Sequence, residues 1–202
     1  LPAGSGASAK TGPQTPPSWL PGAFLSLCLL LYLQLLVAAA MRHAHAWLSI
    51  PDFPTAYGHL WPQITETDLV QINAGRMAKN IAPTSLFQIH LQLVHRGLAL
   101  LILLCAVALS AGVLGKERRG PLRRTVLWFL VLTAVQIGIG ASVIWSGKSV
   151  FPTTVHVLLG AGLFLLAVLG AGIAYRHRWL AARESLAGGN SPLGDTRKEC
   201  PA

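Results

Sequence analysis

The sequence predicts an all-α integral membrane protein, a four-helix bundle, and three observations carry that prediction. Hydrophobic residues make up 52% of the chain and charged residues only 11%, where a soluble domain carries roughly 25% charged. Four apolar runs, at 20–40, 86–114, 126–145 and 150–175, each reach the roughly 20 residues that a helix needs to cross a bilayer. The formal charge of +9 is also unevenly spread. Lys116, Arg118, Arg119, Arg123 and Arg124 lie between the second and third runs, and Arg176, Arg178, Arg183, Arg197 and Lys198 follow the fourth.

Such clusters mark cytoplasmic segments of membrane proteins, so the charge calls for no nucleic acid. The 41–85 connection carries Arg42, Arg76 and Lys79 against Asp52, Glu66 and Asp68, and the last hairpin carries Lys148. Both connections are therefore expected outside, with both termini cytoplasmic. An even number of spans agrees with that arrangement. The lipid bilayer is the first partner, and the expected location is the cell membrane, as a multi-pass protein.

Taken in order, residues 1–18 are rich in Gly, Ser and Pro and read as a flexible linker or truncated N-terminal region. The four-span domain is expected over 19–180. Its first span gives way to a long outer loop, 41–85, in which Trp47, Phe53, Tyr57 and Trp61 are residue types that seat themselves at a membrane interface. Apolar Leu69, Ile72, Met77 and Ile81 among polar neighbours predict a short surface helix over 67–81. Residues 181–202 are expected as a disordered cytoplasmic tail. Cys28, Cys105 and Cys200 form no disulfide, zinc or C-x-x-C-H spacing, so any heme would be held without a thioether.

Spans one and three each contain a glutamine, Gln34 and Gln136, followed by small and aliphatic residues, and each precedes a span with a histidine near its outer end. The chain reads as two copies of one hairpin, or as two cases of small-residue helix packing. Ionisable groups inside spans are costly and point to function. His95 and His156 lie roughly 13 and 9 Å below the outer ends of spans two and four at 1.5 Å per residue. At matched depth on helices of the same direction, they form a facing pair that suits axial ligation of heme iron in a bundle core. Hydrogen bonding between helices is the alternative. His90 is rotated by roughly 140° from His95 and is read as interfacial, and His43, His45 and His59 as solvated. Arg42 and Arg96 are either partners for heme propionates or snorkelling arginines.

The ordered set Gln34, Arg42-His43, Leu48-Ser49-Ile50-Pro51-Asp52-Phe53-Pro54, Tyr57-Gly58, His95-Arg96, Gln136-Ile137-Gly138 and Thr154-Val155-His156-Val157 resembles the heme A synthase family over residues 25–172. The resemblance implies half of an eight-span, two-repeat protein. That protein is an iron-dependent oxidoreductase of heme A biosynthesis and cytochrome oxidase assembly that oxidises a methyl group of heme O to formyl. It further implies that this chain is the C-terminal half, with His95 and His156 binding a bis-histidine heme b for electron transfer. Heme O would be the substrate of the other half, and heme O synthase and an electron donor would be partners. The chain departs from the family at Gln92, where the substrate half has glutamate, and at Ala44-His45-Ala46-Trp47, where a Thr-Gly-Ala-Gly run is usual. The outer-loop cysteine pair of some members is absent. No catalytic residue is assigned, and this half alone is not expected to complete catalysis. A stand-alone b-type membrane cytochrome and a heme-free assembly subunit are the competing readings.

Overall fold

In hydrocarbon every backbone polar group must be satisfied inside the protein, which leaves helices as the way for these apolar runs to cross. The computed structural model describes residues 17–115 and 120–189 of the 202-residue chain. They form α1 (Leu20–His43), a 3-10 turn (Ala46–Leu48), α2 (Glu66–Met77), α3 (Leu86–Leu114), α4 (Pro121–Trp145) and α5 (Val150–Gly189), with no strand among the described residues. Helices α1, α3, α4 and α5 are long and apolar enough to span a membrane. Only 17–28% of the most apolar 18-residue stretch of each span is buried in the bundle, so most of the remaining apolar surface faces outward and requires lipid.

Local chemistry sets the helix ends. Ser85 and Gln88 form a capping box at the start of α3, and Thr65 and Asp68 form another at the start of α2. The predicted surface helix is thus present, slightly displaced toward the N-terminus. Backbone and hydroxyl hydrogen bonds from Thr65 hold the Asp68 carboxyl below its ordinary value. Pro21 and Pro121 occupy the first turns of α1 and α4, where a missing N–H costs nothing. The α4–α5 turn places Gly147 and Lys148 at φ 61° and 68°, and their N–H groups donate to Ile144 and Val143 carbonyls at 3.1 and 2.8 Å. Lys148 tolerates the left-handed conformation, and its ammonium lies 3.3 Å from the centre of the Trp47 ring.

Helix α5 runs well past the expected end at 175 and into the segment expected as a disordered tail. Its extension is rich in Leu, Ala and Arg, good helix formers, and Arg183 stacks on Trp179 at 4.3 Å. Residues 190–202, the rest of that expected tail, and 1–16 of the expected linker lie outside the described residues.

Neighbouring helices contact in a closed ring, α1–α3–α4–α5 and back to α1. Consequently α3 lies diagonally across from α5, and α1 from α4. The apolar core is confined to the half of the bundle nearest the N-terminus. Leu20, Phe24, Leu27 and Leu31 meet Ile102, Ala106, Leu109 and Val113, together with Leu122, Val126, Phe129, Leu163, Ala167 and Ala174. Lipid tails are as apolar as leucine, so this core coheres by packing rather than by escape from water. A smaller cluster, Ile50, Ala56, Ile89 and Leu93, fastens the long loop to the outer end of α3.

Packing is tightest where the fully buried Phe24 ring fills the space that a Cβ on Gly170 would occupy. Replacing Gly170 with Leu should lower the thermal transition in detergent by an overpacking cost of about 1–3 kcal/mol. Adding Phe24→Leu should recover part of that loss. An additive double variant would show that the two residues do not contact as described.

Candidate functional site

The long loop is built as a cap. Gln92, buried on α3, accepts from the Ile50 N–H at 2.8 Å and donates to the Trp47 and Ile50 carbonyls at 3.3 Å each. A carboxylate at this position would lose both donations. Asp52 accepts from the Thr55 hydroxyl and from the N–H groups of Tyr57 and Gly58 at 2.7–2.9 Å. Burial pushes its carboxyl up, but these donors outweigh burial and hold it below the ordinary carboxylate value. Gly58 takes φ 83° within this turn. The Tyr57 hydroxyl donates to the Ser49 carbonyl, and burial raises its pKa above the ordinary phenol value. Arg76 donates to the carbonyls of Leu48 and Ala82, and Asn73 exchanges two hydrogen bonds with the Thr84 backbone.

Arg96 spends its guanidinium largely on this cap. Nη1 donates to Thr55 O and Nη2 to Asp52 O, both at 2.8 Å, and the group lies over the Phe53 ring at 5.7 Å. Only its Nε is buried without a partner. Arg42 is exposed at the C-terminal end of α1. His43 is exposed in the last turn of α1, His45 and His59 are exposed on the loop, and His90 is exposed beside a pocket of about 260 Å³ lined also by Trp61, Gln63 and Leu93. None of these four joins the pair described next.

Between the cap and the apolar core lies a layer made of 32–43, 94–101, 134–145 and 150–162. Ala141 is its single fully buried residue. Here His95 and His156 face each other from the diagonal helices α3 and α5, with ring centroids 6.4 Å apart and planes at 61°. Behind each stands a glutamine from the other helix of its own hairpin. Gln34 donates to the His95 main-chain carbonyl at 3.1 Å, and Gln136 to that of His156 at 2.8 Å. Gln34 Nε2 also lies 3.4 Å from His95 Nε2. A Cβ on Gly140 would stand 2.9 Å from the His156 ring, whereas Gly138 and Gly162 have open space beside them.

Burial of polar atoms without partners is rare because it is costly. Among the described residues five such side-chain atoms occur, and four are Gln34 Oε1, His95 Nδ1, Gln136 Oε1 and His156 Nδ1. The unmet polar demand is thus concentrated at one level of the bundle. Sequence reasoning named both histidines but saw the glutamines only as repeat markers. Their matched position before each histidine-bearing span was the available signal.

Four spans around a facing histidine pair, sealed on one side by an ordered loop, define a multi-pass membrane protein built about an internal polar layer. The profile of the cytochrome oxidase assembly protein family, COX15-CtaA, matches residues 5–168, and the chain belongs to that family, the heme A synthase family. No curated protein and no solved structure matches it significantly.

The cap makes its own prediction. Arg96→Ala removes two charge-assisted hydrogen bonds of about 1.5–3 kcal/mol each, so amide exchange over 49–58 should accelerate at least tenfold while the spans stay protected. The Asp52 contribution is present above the ordinary carboxylate value and fades as pH falls through its lowered one. Loop exchange corrected for intrinsic rates should therefore rise on acidification. In Asp52→Asn it should be fast at every pH, and a pH-independent wild-type loop would contradict the role given to Asp52.

Proposed function

We propose that this chain is the cofactor-carrying, C-terminal half of a heme A synthase-type membrane oxidoreductase, with His95 and His156 as axial ligands of a heme b. The observation that carries the reading is the facing of two imidazoles whose Nδ1 atoms are both buried without partners. Imidazole nitrogen binds such metals at about 2 Å. Allowing about 1 Å more from each nitrogen to its ring centre, two axial imidazoles across one ion have centroids roughly 6 Å apart, near the observed 6.4 Å.

The donor set points the same way. No group of three or more His, Cys, Asp or Glu side chains suited to a metal occurs among the described residues. Two histidines leave a bare ion short of the four ligands zinc takes. They suffice for an iron whose other positions are filled by its own macrocycle.

When bound, the heme would supply one-electron exchange, and His95 and His156 would hold it. The chain's residues hold, orient and enclose it. The cap over 46–64 keeps water from the outer face, the apolar core closes the other side, and Arg96 Nε with Arg42 would meet the propionates. Gln92 supports assignment to the electron-transfer half, because here the side chain serves as a backbone clamp that needs its amide. Oxidation of the heme O methyl group would then belong to the other half. The basic ends of the spans support a cell-membrane protein with both termini in the cytoplasm. Heme O synthase and an electron donor are the partners this reading adds.

A reduced-minus-oxidised spectrum of the purified chain should show low-spin b-type bands at about one heme per chain. His95→Ala and His156→Ala should each lower bound heme at least tenfold without reducing helix content. A helical wild-type chain that stays colourless when heme is supplied would overturn the proposal and favour an assembly role without heme.

A further inference from the structure

The two glutamines have no part in the axial ligation just proposed, yet each is attached to a histidine in the same way. Gln34 reaches from α1 to the His95 carbonyl, and Gln136 reaches from α4 to the His156 carbonyl. The equivalence extends to what is unsatisfied, since both Oε1 atoms are buried without a donor and both histidines leave Nδ1 without a partner. It also matches the contact ring, in which exchanging α1 with α4 and α3 with α5 maps every helix neighbour onto another. Two separate accidents of packing would not produce one geometry twice.

We infer that Gln34 and Gln136 are a matched pair of positioning residues, one for each ligand histidine. Each fixes the axial height and rotation of the helical turn that carries its imidazole. The inference rests on the heme-ligating role proposed for His95 and His156. A mid-helix carbonyl already accepts from the N–H four residues on, and its second lone pair is free to take a side-chain donor. Tying that carbonyl to the neighbouring helix stops the turn from sliding or rolling in a layer where only Ala141 is fully buried. Without it, the turn of α3 that carries His95 would be fixed only from the cap side, through Gln92 and Arg96. The carboxamide also lies beside the ring itself, Gln34 Nε2 being 3.4 Å from His95 Nε2. It is therefore placed to influence ring orientation, as outer partners of metal-bound histidines do.

The test uses the full chain in detergent, loaded with heme, with transfer of heme to apomyoglobin as the readout of its dissociation rate. Gln34→Leu and Gln136→Leu keep side-chain bulk and remove the donor. Each should release heme roughly 10- to 100-fold faster, the usual range for outer-shell changes, and broaden the low-spin bands. Gln71→Leu, on the exposed face of α2, should behave as wild type. Gln34→Glu and Gln136→Glu, which can donate when protonated, should retain heme better at low pH than at high pH. That pH dependence would not follow from loss of packing alone, and it keeps the test open should a leucine variant fail to fold. Unchanged release from both leucine variants of a heme-binding wild type would overturn this inference and leave the ligand assignment standing. A wild type that binds no heme would overturn both.

Discussion

A polar side chain in hydrocarbon has to find its partner within the protein or leave a cost that packing elsewhere must offset. In this bundle, that constraint acts at one level. His95, His156, Gln34 and Gln136 share a layer in which glutamine nitrogens meet histidine carbonyls while four side-chain atoms stay unpartnered. The remainder of the structure is arranged around containing that layer. On one side the four spans converge on a dry apolar core centred on Phe24, Phe129 and Leu163. On the other, a loop with its own hydrogen-bond network covers the opening.

The fold was legible in the sequence wherever one physical cause dominated. Long apolar runs require membrane helices, and the starts of the first, second and fourth spans agree with expectation because apolar composition and turn residues coincide there. The third begins at Pro121 rather than 126, since a helix admits Arg123 and Arg124 in its first turn at a membrane boundary, where hydropathy alone stops short. The fourth overran its expected end for the same reason, as polar helix formers continue a helix outside lipid. The shared level of His95 and His156 was visible from depth counting and the common direction of their helices, and their facing is what the structure adds.

What could not be read was the fastening of the loop. Gln92, Arg96 and Arg76 bind backbone carbonyls 28 to 45 residues away, and Arg76 binds a further one 6 residues away. Backbone carbonyls carry no residue-type signal, so no motif announces such a contact. Arg96 illustrates the consequence. As a sequence it was a cation beside a candidate ligand histidine, suited either to an anion or to snorkelling at the membrane boundary. In the structure most of its donors hold the loop, and one nitrogen is left for any other task. The role of the glutamines was missed for a related reason, because each acts on the backbone carbonyl of its histidine.

The symmetry of the layer and the asymmetry of its cover have different consequences. Exchange of the two hairpins maps one glutamine–histidine unit onto the other, yet their connections differ: α1 and α3 are joined by the long capping loop, α4 and α5 by the tight turn at Gly147 and Lys148. The long loop does not stay over its own hairpin. Phe53 reaches Trp145 at 6.3 Å, and Trp47 lies under the Lys148 ammonium, so residues between α1 and α3 close over the end of the α4–α5 hairpin as well. A symmetric pair of short turns would leave both ends of the layer equally open. One elaborated connection seals them together, and it does so through Arg96, the residue next to His95. The cap and the histidine pair are therefore mechanically joined at α3, and displacement of one must be felt by the other.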